Sequence, residues 1–164
     1  MHIQAFDQSL FPALVQAMHE LDQHYFGAQG ASIEALTLSL QRGLLGADSG
    51  VRIVVALDGD EIAALATYTL LYPAPQQRGQ LFMKDLFVRQ RWRSQGLGEQ
   101  LMRYLAAYAV QKDCLRFDWT AENGNTGAMA FYERLGAEHV TEKVYYRISG
   151  EALLNLGGKA TSSP

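Results

Sequence analysis

The strongest constraint in this chain is a pair of long apolar runs joined by a step with one favoured geometry. Residues 51–57 (VRIVVAL) and 61–71 (EIAALATYTLL) flank Asp58-Gly59-Asp60. An Asp-Gly step between such runs is a strong hairpin signal, because a tight reversal needs left-handed backbone that glycine supplies without strain. A further strand-like run, QLFMKDLFV, follows the loop from Pro73 to Gly79 and ends at Val88. The middle of the chain is therefore expected to be an antiparallel meander.

Upstream, residues 9–23 carry Leu10, Leu14, Met18 and Leu21 at three- and four-residue spacing, which predicts an amphipathic helix with Ser9 as its N-cap. A second helix is expected from Ser32, with Glu34 and Ala35 in its first turn, and the stretch from Phe26 to Gly30 separates the two. Downstream, Leu97, Leu101, Leu105, Ala106 and Ala109 recur at helical spacing, and CLRFDW at 114–119 returns to strand character. Strand, helix, strand is the unit that makes two strands parallel, so the predicted class is α/β (α+β) with a mixed sheet. A short helix is expected over 125–135, stopped by Gly136, and HVTEKVYYRI at 139–148 predicts two closing strands. Residues 1–156 read as one domain without internal repeats, and 157–164 as a flexible tail.

Composition enters mainly by exclusion. A formal charge of -3 gives no broad basic field, so nucleic acid is not an expected partner and a small or cationic one fits better. With 48% apolar and 19% charged residues the chain is not compositionally disordered. Its one cysteine, Cys114, excludes an intramolecular disulfide and a two-cysteine zinc site, and reads as a buried, inert thiol in a reducing compartment. The N-terminus lacks a signal-like pattern, and no window approaches the ~20 apolar residues of a membrane span, so a cytoplasmic protein is expected. His2, His19, His24 and His139 show no ligand spacing, and no metal is expected.

Two stretches carry chemistry. The first, Arg93-Ser94-Gln95-Gly96-Leu97-Gly98, lies between a strand and a helix. Such a turn can aim main-chain N–H groups at an anion beside a helix N-terminus, where orphan donors and the dipole both favour negative charge. Alone it is equally a plain turn, and it is neither a P-loop nor a Rossmann turn. The second runs from Asn125 to Gly136 and contains an apolar stripe of Ala128, Phe131 and Leu135. Tyr132 lies one position off that stripe. A phenol of pKa about 10 can protonate a departing thiolate of pKa about 8.5, which suits it to general acid catalysis.

Together, in this order and about thirty residues apart, and following the strand end Asp85-Leu86-Phe87-Val88, the two stretches resemble the acetyl-CoA core of the GNAT superfamily. Within it the chain is most similar to the diamine (spermidine/spermine) N-acetyltransferase branch, over nearly its whole length. The resemblance implies a mixed central sheet with an antiparallel N-terminal meander, a splayed parallel strand pair and flanking helices. It also implies acetyl-CoA as co-substrate, a small-molecule amine as acceptor, and a homodimer.

By the same resemblance, the backbone of Leu86, Phe87 and Val88 pairs with pantetheine and the acetyl group. Arg93, Ser94, Gln95, Gly96, Leu97, Gly98 and Glu99 form the pyrophosphate turn, Asn125, Thr126 and Ala128 the second CoA-contacting segment, and Tyr132 the general acid. His24, Tyr25, Lys84, Asp118, Trp119 and Glu142 match substrate-contacting positions less closely. His24 and Tyr25 could equally close the first helix, Trp119 could be core, and Asp118 and Glu142 could be solvated. Lys84 departs from the polyamine-acetylating relatives, which carry an acidic residue there. Strand alternation predicts that Lys84 and Leu86 share one face and Asp85 and Phe87 the other. Lys84 either meets a carboxylate on the substrate or pairs with Asp118 or Glu142. Direct attack of a neutral amine on the thioester is implied, without a covalent enzyme intermediate. The sequence leaves open a protein lysine or N-terminal acceptor, and a non-catalytic acyl-CoA sensor.

Overall fold

Both runs flanking Asp58-Gly59 are strands, and their register pairs Asp58 with Glu61 across the turn, with Gly59 at φ 61°. The structure, a computed structural model, describes residues 1–158. It contains β1 (His2–Ala5), α1 (Phe11–Phe26), α2 (Ile33–Ser39), β2 (Arg52–Asp58), β3 (Glu61–Leu71), β4 (Gly79–Val88), α3 (Leu97–Gln111), β5 (Cys114–Trp119), α4 (Thr126–Arg134) and α5 (Gly150–Gly157). The chain divides into two compact units, Met1–Gly124 and the residues from Asn125 onward.

The first unit is built on a five-stranded sheet in the order β1-β2-β3-β4-β5, antiparallel from β1 to β4 and parallel between β4 and β5. The meander and the parallel pair are those expected. Strands β2 and β3 are buried at nearly every central position because both faces are covered. On one face α1 places Leu14 and Ala17 against Ile53, Val55, Ile62 and Leu65. On the other, α3 buries Leu101, Met102 and Leu105, and its Tyr108 ring meets Tyr68 edge-on at 5.4 Å.

The helix N-termini are set by small side chains, though not always the expected one. Asp7, rather than Ser9, caps the turn leading into α1, its carboxylate accepting the Ser9 N–H at 2.9 Å. Asp and Ser are comparable N-caps, and the competition is decided by which residue has extended backbone: Asp7 has φ -117° and ψ 147°. Ser32 caps α2 as predicted, accepting the Ala35 N–H at 3.2 Å. Cys114 is buried at the start of β5, and burial pushes its thiol up from its ordinary value.

The second unit begins with α4. It ends as the sequence predicts, with Gly136 at φ 87° and the Ala137 and Gly136 N–H groups donating to the carbonyls of Tyr132 (3.1 Å) and Glu133 (2.9 Å). The two strands expected over 139–148 are not formed. An alternating run becomes a strand only where an edge supplies hydrogen-bond partners, and none of these residues has a ladder partner. α5 runs to Gly157, and residues 159–164 of the expected tail lie outside the described residues.

Candidate functional site

A fork in the sheet carries the site. β4 is laddered to β5 only from Gly79 to Met83, where Met83 lies opposite Trp119, the last residue of β5. β4 continues for five residues beyond that point, Lys84 to Val88, paired on one side with β3 and on the other with no strand. Arg89 donates its N–H to the Ala63 carbonyl at 3.0 Å, so strand alternation pairs the Phe87 main chain with Leu65 and turns the main-chain groups of Leu86 and Val88 to the open edge. The Phe87 side chain is buried, at 5% exposure, so what the edge offers is the backbone of its two neighbours.

The fork opens directly onto a turn made of main-chain donors. Ser94 and Gly96 have φ 62° and 75°, both left-handed, and α3 starts at Leu97 with Gly96 as an N-cap that has no side chain. The first hydrogen bond of the helix is Gln100 N–H to the Gly96 carbonyl at 3.1 Å. The N–H groups of Leu97, Gly98 and Glu99 therefore precede the helix ladder and have no intrahelical acceptor. Left-handed backbone beside a helix N-terminus turns successive N–H groups into one concavity that suits an anion. Glu99 does not oppose this with its carboxylate, which Arg103 holds at 2.7 Å. Acetyl-CoA fits such a frame: an open strand edge for amide groups, then a donor-rich turn for a pyrophosphate.

The turn is held in place by contacts over long sequence separations. Arg93 donates through Nε to the Val88 carbonyl at 3.1 Å, closing the turn back onto β4. Trp92 is buried, donates to Asp58 at 2.9 Å, and has the guanidiniums of Arg89 and Arg91 over its ring at 5.1 and 4.7 Å. Glu20 of α1 accepts from Arg89 Nε at 2.7 Å and from the Gln90 N–H at 2.8 Å. Burial alone would raise the Glu20 carboxyl, but the Arg89 and Gln90 hydrogen bonds and the Arg89 charge outweigh it and hold the group below its ordinary value. Sequence reasoning missed Glu20, Arg89 and Trp92. The only signal was two arginines flanking a tryptophan just after a strand.

Of the residues carried over for substrate, His24 comes to the fork. Its ring lies 6.0 Å from Phe87, and a cleft of about 280 Å³ is lined by Glu20, Gln23, His24, Phe87, Gln90 and Arg93. Tyr25 stacks edge-on against His24 at 5.4 Å and is largely exposed. Trp119 sits at the branch point with its ring 4.9 Å from Phe117. Asp118 accepts from Gln80 at 2.7 Å, tying β5 to β4, so it is not the partner of Lys84.

Lys84 itself is the extra residue of a β-bulge. Thr67 opposes Asp85 and Tyr68 opposes Met83, leaving Lys84 without an opposite number. The expected face assignment changes accordingly. Met83 and Leu86 oppose Tyr68 and Ala66 on one face, and Lys84 falls on the other with Asp85 and Phe87, the face that α1 covers. Asp85 is committed to buried Thr67, whose hydroxyl lies 2.6 Å from its carboxylate. Lys84 is exposed and makes no ion pair with a described residue.

In the second unit, Asn125 caps α4 by accepting the Ala128 N–H at 3.0 Å, so Asn125, Thr126 and Ala128 form one helix start with further open N–H groups. Tyr132 is half-buried, with its ring 5.1 Å from Phe131. Glu142 is exposed in the extended stretch after α4. Among the described residues no group of three His, Cys, Asp or Glu could hold a metal, and no helix is long and apolar enough to cross a membrane.

Residues 15–137 match the acetyltransferase (GNAT) family, and the chain belongs to it. It is similar to thialysine N-epsilon-acetyltransferases: 28% identical to that of Mus musculus over 62% of this chain and 61% of the relative, and 26% identical to that of Caenorhabditis elegans over 85% and 86%. The L-ornithine N5-acetyltransferase of Arabidopsis thaliana is 29% identical over 56% of this chain and 40% of that protein. The chain thus spans less than two thirds of the mouse and plant relatives. Among solved structures, an integron cassette protein from the mobile metagenome of V. cholerae is 40% identical, covers 96% of this chain and 98% of its own, and has a TM-score of 0.93.

Proposed function

We propose that this protein transfers the acetyl group of acetyl-CoA to a primary amine of a small molecule that also carries a carboxylate, a diamino acid in preference to a polyamine. The observation that carries the transferase reading is the fork at Met83 and Trp119 with the Ser94 to Glu99 donor turn beyond it. Leu86 and Val88 would hold the pantetheine amides through their backbone, and Ser94 to Glu99 the pyrophosphate. The amine lone pair forms the new C–N bond as the C–S bond breaks, main-chain N–H groups at the fork stabilise the oxyanion, and the departing sulfur takes its proton from Tyr132. The extra proton of the amine leaves to water, and solvent returns a proton to the Tyr132 phenolate. Cys114 takes no part, because burial disfavours its thiolate.

Lys84 supports the acceptor class. A cation in the bulge, on the α1 face beside Phe87 and with no carboxylate partner among the described residues, repels a polycation and attracts a carboxylate. Thialysine and ornithine, named for the relatives, are amino acids with a second amine. The resemblance and the single buried cysteine support a cytoplasmic homodimer.

The test is thiol release from acetyl-CoA with spermine, putrescine, ornithine, lysine, thialysine and a lysine peptide. Diamino acids are expected to have the highest kcat/KM, and Lys84→Glu to shift the ratio of ornithine to spermine by on the order of tenfold toward spermine. A wild type that favours spermine more than tenfold overturns the carboxylate reading, and no turnover with any amine overturns the transferase reading.

A further inference from the structure

Lys84 brings to the fork a primary amine as well as a charge. It is the first residue of β4 beyond the branch at Met83 and Trp119, it occupies the bulge, and it is exposed. The carboxylates on α1, β4 and β5 are engaged elsewhere. Glu20 holds Arg89 and Gln90, Asp22 accepts the Ala31 N–H at 2.6 Å, Asp85 binds Thr67, and Asp118 binds Gln80. No ion pair among the described residues fixes the Lys84 side chain, so its amine is free to swing. Leu86, whose main chain turns to the open edge, lies two residues on, roughly 7 Å along the strand. That is a distance within the sweep of a flexible four-carbon stem. Lys112, the other lysine of the first unit, follows α3 at the opposite end of the parallel pair, with its amine 5.6 Å from the Tyr108 ring.

We infer that Lys84 is acetylated by the protein's own bound acetyl-CoA when no small amine occupies the fork, an inference that rests on the placement of acetyl-CoA proposed above. Lysine and the acceptor are the same nucleophile chemically, a primary alkyl amine. The neutral Nζ forms a C–N bond to the acetyl carbon as the C–S bond breaks. The nitrogen gives one proton to water, the departing sulfur takes one, and the products are acetyl-lysine and free CoA. Because thioester and amine are held on one strand, the step gains the advantage of an intramolecular reaction. Its consequence is regulation of the acceptor site. An acetylated lysine carries no charge, so it neither attracts a carboxylate nor repels a polycation. An acceptor with a carboxylate pairs with the Lys84 ammonium and keeps it from the thioester. The mark therefore accumulates when acetyl-CoA is plentiful and acceptor is scarce.

The full-length protein tests this by incubation with isotope-labelled acetyl-CoA and mass spectrometry of its peptides, beside thiol release with the amine panel. Without acceptor, Lys84 should gain label at least tenfold faster than Lys112, at a fractional rate indifferent to protein concentration. The best amine of the panel, in excess, should slow that labelling at least tenfold. Lys84→Arg keeps the cation and should show no rapid labelling anywhere in the first unit, whereas Lys112→Arg should label at Lys84 like the wild type. Labelled protein should shift its kcat/KM ratio of ornithine to spermine at least threefold toward spermine. Lys84 and Lys112 labelled at equal rates would mean acetylation by reagent in solution, and labelling that quickens with protein concentration would mean transfer between molecules. Either overturns the inference. Turnover of a free amine with Lys84 unlabelled overturns it and leaves the transferase reading standing, while the absence of both overturns the two together.

Discussion

The turn at Arg93 to Gly98 and the helix at Asn125 to Gly136 are the two stretches on which the resemblance rests, and they are built in opposite ways. The turn is clamped by buried side chains, Trp92 before it and Leu97 within it, while the groups it presents are main-chain N–H. The helix has no buried residue, is capped by one asparagine, and the chemistry proposed for it rests on one phenol. A backbone site tolerates most side-chain changes and fails when its φ angles are lost. A side-chain site fails when a single atom is removed.

The largest expected effect is therefore in the helix. Tyr132→Phe removes one oxygen and little volume, and should lower kcat by roughly 100- to 10,000-fold with CoA affinity almost unchanged. Steady-state kinetics with calorimetry decides it, and wild-type kcat removes Tyr132 as the acid.

Next comes Gly96→Val. A Cβ at Gly96 would meet nothing closer than the Gln100 amide at 3.9 Å, so the obstacle is its φ of 75°, a conformation costing a β-branched residue about 1–2 kcal/mol. The protein should fold, with a lower Tm, and bind CoA on the order of a hundredfold more weakly as the donors turn away. Undiminished CoA binding by a folded variant would show that the turn is not the pyrophosphate site.

Glu20→Gln probes the clamp rather than the donors. It should cost about 1 kcal/mol in urea unfolding at pH 7, the scale of a partly exposed charge-assisted pair. Because the folded carboxyl lies below its ordinary 4.5, this contribution is fully present above that pH. It is lost as pH falls through the lower folded value, so wild type and variant should converge in acid. A gap that persists at pH 2 would mean packing, not charge, holds the clamp. The smallest effect, within about twofold on every kinetic constant, is expected for Gln95→Ala, since the proposed site uses only its main chain. A tenfold loss there would erase the contrast between the two sites.

Much of this was legible in advance, and the failures share a cause. The hairpin, the meander, the parallel pair and the Gly136 stop are assembled from elements that each announce themselves in their own residues and follow one another along the chain. β1 went unread because four residues are too few for a period to register. The Lys84 bulge carries no glycine or proline to mark it, and it exists only in the pairing of β4 with β3. The clamp joins Glu20 to Arg89 and Asp58 to Trp92, pairs that only folding brings together. The closing strands were misread for the converse reason: their local pattern is right, but a strand is a relation between two segments. The open backbone at the fork, likewise, was reached through resemblance and not from any residue type.

The solitary buried thiol has a use unrelated to catalysis. Cys114 lies where β5 begins, at 8% exposure, and it is the only sulfhydryl in the chain. Its reaction with an alkylating reagent therefore requires that end of the sheet to open. The labelling rate of the native protein, compared with that of the same thiol in denaturant, gives the free energy of that opening from the intact chain, with no engineered probe.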